Sequence, residues 1–243
     1  MKYTHRYQIK WHDTDANRNV SPSRVLAYMQ ETANLQLMRT GMSLDELRDT
    51  QGLAFLLSRI AIRIYKQLHA YEEIDVETWI CESRGLSFHR CFRILRGGEV
   101  VAEAFSIWAL MDLREMKLLP STAFPYRLEP DLPLEMSARV RLPATELMEP
   151  AGERKIVYSD IDYNGHMNNT HYPNMLCDFT PDIRNKRVVG MTLSFLHEAT
   201  YGHTLKVYRA EREDGCFFRT VDEQGITCLE ALLLTEPIEE VQR

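Results

Sequence analysis

The sequence predicts an α+β protein of two tandem, similar halves, each an antiparallel sheet wrapped around one long helix. Three observations carry this expectation. Trp11-His12-Asp13-Thr14-Asp15-Ala16-Asn17-Arg18-Asn19-Val20-Ser21 returns as Tyr158-Ser159-Asp160-Ile161-Asp162-Tyr163-Asn164-Gly165-His166-Met167-Asn168, an aromatic followed by Asp-x-Asp-x-Asn in both copies. Each copy leads into a helix-like segment and then into runs of strand period. Near the end of each copy Ala102-Glu103-Ala104 answers Leu229-Glu230-Ala231, so the repeat spans whole halves.

In the first half Ser21-Pro22 reads as an N-cap with proline at the first helical position. Val25, Leu26, Met29, Ala33 and Leu37 then recur at helical spacing, and Gly41 is the stop. After this one helix the pattern turns strand-like. Ile60, Ile62 and Ile64 alternate with Ala61, Arg63 and Tyr65, and Ile74, Val76, Thr78 and Ile80 continue in period two. Gly97-Gly98 joins Phe92–Arg96 to Val100–Met111 as a hairpin. Pro120, Pro125, Pro130, Pro133, Pro143 and Pro150, out of ten in the chain, suit neither a long helix nor a central strand. The organisation is therefore a first half over 1–114, a proline-rich linker over 115–150 and a second half over 151–243. In the second half Asn168 or Asn169 caps a helix over about 170–179, with Pro173 tolerable only in its first turn. Strands follow at 188–196, 204–212, 216–221 and 226–235, punctuated by Asp214-Gly215 and Gly225.

Composition narrows the class. A hydrophobic share of 44% with 26% charged residues is that of a soluble globular protein. The N-terminus has no signal-peptide pattern, and the longest apolar run, Ala104–Met111, is too short for a membrane helix. Cys81, Cys91, Cys177, Cys216 and Cys228 are odd in number and lack C-x-x-C spacing, which argues against a disulfide framework or zinc site and suits a reducing cytoplasm. A net charge of −6 disfavours general nucleic-acid binding. Asp160-x-Asp162-x-Asn164-Gly165 also matches the opening of a calcium loop, but that loop needs glutamate at its twelfth position, which is His171 here. His12, His171, His197 and His203 have no repeat-based argument and read as structural or surface residues.

The string Ser159-Asp160-Ile161-Asp162-Tyr163-Asn164-Gly165-His166-Met167-Asn168-Asn169 resembles the active-site segment of hot-dog thioesterases, and in particular the C-terminal half of acyl-acyl-carrier-protein thioesterases. Met191-Thr192-Leu193-Ser194-Phe195-Leu196-His197-Glu198 looks like the strand that delivers that family's catalytic glutamate. Two tandem hot-dog folds are the family's arrangement, so the resemblance covers essentially the whole chain. It implies a thiolester hydrolase of fatty acid biosynthesis with Asp162, Asn164, His166 and Glu198 as catalytic residues. It also implies acyl carrier protein as partner, and the reading calls for no metal or organic cofactor and takes the first half as scaffold and acyl-chain pocket. Ala199 stands where the family often has cysteine, so no cysteine nucleophile is invoked.

Thioester hydrolysis needs a positioned water, a base and donors for the carbonyl oxygen. Asn164 and His166, two residues apart in a turn, can offer an amide and an imidazole to one centre. The helix start that follows offers free N–H groups for an oxyanion. Glu198 activates water, and Asp162 orients His166 or the motif backbone, or assists the base. Aligning Ile74-Asp75-Val76 with Leu205-Lys206-Val207 puts Gln67 opposite Glu198, while Asn19 stands for His166. Both titratable groups are lost together in the first half, which predicts one active site per chain. An acidic carrier protein needs a local basic patch: Arg184, Lys186 and Arg187 form one candidate, Arg59, Arg63 and Lys66 another. A hot-dog acyl-CoA thioesterase and a non-catalytic acyl-binding protein are the alternatives, and a homodimer is compatible with either.

Overall fold

The structure is a computed structural model that describes residues 2–124 and 129–238. The first half contains β1 (Tyr3–Gln8), α1 (Pro22–Met38), α2 (Leu44–Asp49), β2 (Leu53–Ile64), β3 (Glu73–Ile80), β4 (Phe88–Arg96), β5 (Glu99–Asp112) and β6 (Lys117–Leu119). The second contains β7 (Glu149–Lys155), α3 (Tyr172–Asp178), β8 (Lys186–Phe195), β9 (Thr204–Arg212), β10 (Gly215–Val221) and β11 (Thr227–Pro237). The strands form one sheet in the order β1-β3-β4-β5-β2-β8-β11-β10-β9-β7, with β6 added to β5. Two antiparallel halves, each carrying helix on its inner face, make the tandem hot-dog fold.

The halves fuse where β2 pairs with β8, in the register Arg59↔Ser194 to Arg63↔Gly190. This pairing is formed within the chain. Gly190 is needed at the seam, because a Cβ there would lie 3.1 Å from both the Ile62 carbonyl oxygen and Leu234 Cδ1. Period-two alternation sends Ile60, Ile62, Phe92 and Ala104 of one half, and Leu193, Phe218 and Ala231 of the other, into one core with Leu26 and Met29 of α1. The opposite face of the sheet also has apolar patches. Trp79, Cys81 and Cys91 pack with Leu134, and Met148, Ala210 and Phe217 pack with Leu142. Trp79 Nε1 donates to the Leu132 carbonyl at 2.9 Å, so the linker runs along the outside of the sheet and covers residues its strands leave open.

Gly97 and Gly98 both have positive φ in the β4–β5 hairpin, as a type I′ turn requires. A repeated cross-strand ion pair marks the symmetry: Arg93–Glu103 at 2.7 Å between β4 and β5, and Arg219–Glu230 at 3.3 Å between β10 and β11.

Four sequence expectations need correction. The first half has a second helix, α2, where a single helix was expected; Ser43 caps it by accepting the Glu46 N–H at 3.0 Å. The second helix is not long. A 3-10 turn, Asn169–His171, precedes it, Pro173 occupies its first turn, and Pro181 blocks extension, so α3 has 7 residues against 17 in α1. The edge strands β1 and β7 carry too little apolar alternation to stand out, and β7 admits Pro150 through a bulge between Pro150 and Gly152. Finally, β6 and the start of β7 lie inside the 115–150 span read as linker. Pro125 falls outside the described residues. Among the described residues no helix is long and apolar enough to cross a membrane.

Candidate active site

The two Asp-x-Asp-x-Asn copies fold into the same loop. The first aspartate closes each entry turn: Asp13 Oδ2 accepts the Lys10 N–H, and Asp160 Oδ2 the Val157 N–H, both at 2.9 Å. The second aspartate holds the tip, as an aspartate whose carboxylate reaches the N–H two residues on commonly does. Asp15 Oδ1 accepts the Asn17 N–H and Asp162 Oδ1 the Asn164 N–H, both at 2.8 Å. One residue per loop takes positive φ, Arg18 at 64° and Gly165 at 86°. The return strands match too: the Val20 N–H donates to the Leu68 carbonyl and the Met167 N–H to the Ala199 carbonyl, both at 2.8 Å. These last bonds set Leu68 opposite Ala199, so Gln67 is the structural counterpart of Glu198.

Side-chain partners then separate the copies. In the second half His166 Nε2 lies 3.6 Å from Glu198 Oε1, with His166 largely covered and Glu198 64% exposed. That spacing is an electrostatic contact and too long for a hydrogen bond. Asn164 meets a residue from the other half. Arg48 Nη1, from α2, donates to Asn164 Oδ1, and the guanidinium sits 5.3 Å over the Tyr163 ring. With its oxygen engaged, Asn164 has its NH2 group left to offer. Asp162 Oδ1 is bonded to the motif backbone at the Asn164 N–H.

In the first half the corresponding donors are used up. Asn17 Nδ2 donates to the Lys186 carbonyl at 3.1 Å and Gln67 Nε2 to the Val188 carbonyl at 3.0 Å, both on β8. Asn19 is buried. The degenerate copy fastens one half to the other. Behind each loop the first aspartate is buried with partners: Asp13 accepts from Tyr28 Oη at 2.6 Å and faces Arg24 Nε at 3.1 Å, and Asp160 faces Arg154 Nη2 at 2.7 Å. Burial first, and then the bond to Asp13, push the Tyr28 hydroxyl far above the ordinary tyrosine range.

The α3 start is a poor source of oxyanion donors. The Thr170 N–H goes to Asn168 Oδ1 at 2.9 Å and the Asn174 N–H to Ser23 Oγ at 3.0 Å, an inter-helix tie that Ser23 N–H returns to Asn174 Oδ1 at 3.1 Å. Asn164, two residues before His166 in the same loop, has its side-chain NH2 group without a hydrogen bond among the described residues.

A cavity of about 370 Å³ opens in the first half, with Ala33, Leu37, Leu44, Phe55, Phe88 and Trp108 in its walls. Phe55, Phe88 and Phe124 meet edge to face, with ring centroids 5.2, 5.1 and 6.1 Å apart. Helix α2 joins this cavity to the site: Leu44 lines the wall, and Arg48, one turn further along the same helix face, touches Asn164. Sequence reasoning missed Arg48 because it missed α2. The signal was Ser43-Leu44-Asp45-Glu46, a capping-box pattern.

Of the basic candidates, Arg187 pairs with Glu236 at 2.9 Å, Lys186 faces Glu211 at 3.6 Å and Lys66 pairs with Glu99 at 2.5 Å. Arg184 and Arg63 are exposed and form no ion pair among the described residues.

Residues 1–121 match the model of the acyl-ACP thioesterase N-terminal domain, and residues 150–232 that of the C-terminal domain. Among curated proteins, an acyl-[acyl-carrier-protein] hydrolase, FATB2, of Cuphea viscosissima is 22% identical over 82% of this chain and 52% of its own length. The palmitoyl-acyl carrier protein thioesterase of Arabidopsis thaliana is 22% identical over 100% of this chain and 63% of its own length. The chain thus spans about half to two thirds of these relatives. Among solved structures, an acyl-ACP thioesterase from Bacteroides thetaiotaomicron superposes with a TM-score of 0.85 at 21% identity, covering 97% of this chain and 98% of that one. The 12:0-ACP thioesterase of Umbellularia californica gives 0.81 at 17% identity, covering 98% of each.

Proposed function

The chain belongs to the acyl-ACP thioesterase family, and from that premise we propose that it hydrolyses fatty acyl-acyl-carrier-protein to free fatty acid and holo-acyl-carrier-protein. One observation carries the reading. Two loops of the same backbone end differently, and the second carries a His166–Glu198 contact and, two residues before His166, Asn164 with its oxygen held by Arg48; this supports the reading.

In this mechanism Glu198 takes a proton from water as the oxygen attacks the thioester carbon, and Asn164 Nδ2 donates to the carbonyl oxygen as charge develops there. His166 stands beside Glu198 to share the proton and hold the water. Collapse of the intermediate breaks the C–S bond. The sulfur departs as a thiolate, a good leaving group with a thiol pKa of about 8.5 by analogy with cysteine, and then takes back the proton held by Glu198. Asp162 works at one remove, by holding the turn that presents Asn164. The acyl chain runs past α2 into the first-half cavity, whose aromatic and aliphatic walls suit it and whose size is at the lower end of small-molecule sites, roughly 300–1,000 Å³. Arg184 and Arg63 are the basic side chains best placed in charge terms to meet an acidic carrier protein.

The test is a matched panel of acyl-acyl-carrier-protein and acyl-CoA substrates, with Glu198→Gln as control. The carrier-protein series should be turned over faster, and the variant should lose most of that turnover. Activity confined to the CoA series would overturn the substrate assignment.

A further inference from the structure

We propose that the first-half cavity contains a carboxylate-binding site built on Arg90. The inference deepens the reading of this cavity as the acyl-chain pocket. Arg90 lies on β4 and lines the cavity. Its Nη1 donates to Gln36 Oε1 at 2.6 Å and to Thr78 Oγ1 at 3.0 Å. Its Nε and Nη2 make no hydrogen bond among the described residues. These two nitrogens form the side edge of the guanidinium, the edge that takes both oxygens of a carboxylate in parallel.

The charge balance around Arg90 is unusual for its strand. Arg93 and Arg96, further along β4, each have an acid partner, Glu103 at 2.7 Å and Glu72 at 2.9 Å. Among the described residues no carboxylate pairs with Arg90. A cation held away from water without a counter-charge costs stability, so such groups normally carry a partner. Burial lowers the Arg90 pKa to about 10, which leaves it protonated at neutral pH. The floor beneath it is polar and fully buried: Thr78, and Ser106, whose Oγ accepts from Trp108 Nε1 at 2.8 Å and donates to the Arg90 carbonyl at 3.2 Å. Leu37, Phe55 and Phe88 give the walls an apolar side, and Asn34, Glu82, Ser83 and His89 a polar one, with Glu82 forming no ion pair to Arg90. A ligand matched to this arrangement is an apolar chain that ends in a carboxylate. Two sources supply one: an acyl substrate with a carboxylate at its far end, or a free fatty acid entering head first.

The experiment has two arms, each run on the wild type and on Arg90→Met, which keeps an unbranched apolar stem and removes the guanidinium. The first compares hydrolysis of acyl-carrier-protein substrates of equal length that end in methyl or in carboxylate. The second measures binding of decanoate against decan-1-ol. If the chain end is the source, wild type favours the carboxylate-ended substrate about tenfold more than the variant does. If free acid is the source, decanoate binds about tenfold tighter than the alcohol in wild type, and Arg90→Met removes the difference. No discrimination in either arm of the wild type overturns the site, whether or not the variant folds. Absence of hydrolysis on every carrier-protein substrate would instead break the proposed function, and the binding arm would still decide this one.

Discussion

The loops at 13–21 and 160–168 share a backbone, down to the aspartates that close their turns, yet one ends in backbone ties and the other in a contact between an imidazole and a carboxylate. The scaffold is therefore set by the Asp-x-Asp-x-Asn pattern, and the chemistry by what the side chains at two further positions meet. Asn17 and Gln67 are spent on β8 carbonyls. Their counterparts Asn164 and Glu198 stay open, and the contact to Asn164 comes from a helix of the opposite half. The halves are thus joined through these loops: the first is tied to β8 by its own motif, and its α2 sends Arg48 to the second.

The comparison can be broken at its strongest point by Glu198→Gln. Turnover should fall about a hundred- to ten-thousand-fold with thermal unfolding unchanged; retention of near-full activity would remove Glu198 from the chemistry. Next in size is Asp13→Ala, which strips the buried carboxylate from Tyr28 and Arg24. Urea unfolding should show a loss of about 3 kcal/mol, and a loss below about 0.5 kcal/mol would deny the first loop its structural role.

Arg48→Met sharpens the crossing between halves. It should lower kcat about ten- to a hundredfold with a smaller change in KM, since Asn164 loses the bond that orients its amide. Equal effects on kcat and stability would reduce Arg48 to a packing residue. The smallest effect belongs to Gln67→Ala: turnover within a few-fold of wild type and about 1 kcal/mol less stability, from one lost hydrogen bond across the halves. Installing Asn19→His and Gln67→Glu together in the Glu198→Gln background should restore no activity, because the first loop lies against β8. Recovery of turnover by the triple variant would show the two loops to be interchangeable.

Much of this was legible in the chain itself. The repeat, the proline-rich crossing and the period-two runs led to two tandem sheets with helices, and the observed strand bounds at 204–212 coincide with those expected. The pairing of Gln67 with Glu198, read from a short alignment, reappears in the bonds from Val20 to Leu68 and from Met167 to Ala199. Less legible were the elements with weak local signals. β1 and β7 are half-exposed edge strands, and α2 is a helix of 6 residues whose stability comes from its Ser43 cap and from burial of Leu47. The helix expected over about 170–179 is present as α3, shortened to Tyr172–Asp178 because a 3-10 turn takes up Asn169–His171.

Local sequence by itself determined the two loops and which of them retains titratable side chains. Turn geometry and proton chemistry depend on neighbouring residues and on residue type, and both are written in order along the chain. Only the tertiary structure decided where those side chains end. Arg48 reaches Asn164, Gln67 reaches Val188, and Arg90 faces a cavity without an acid partner, each across a separation that no periodicity encodes. Such contacts arise because β2 and β8 fuse the halves into one sheet, and that packing brings residues far apart in sequence within hydrogen-bonding reach.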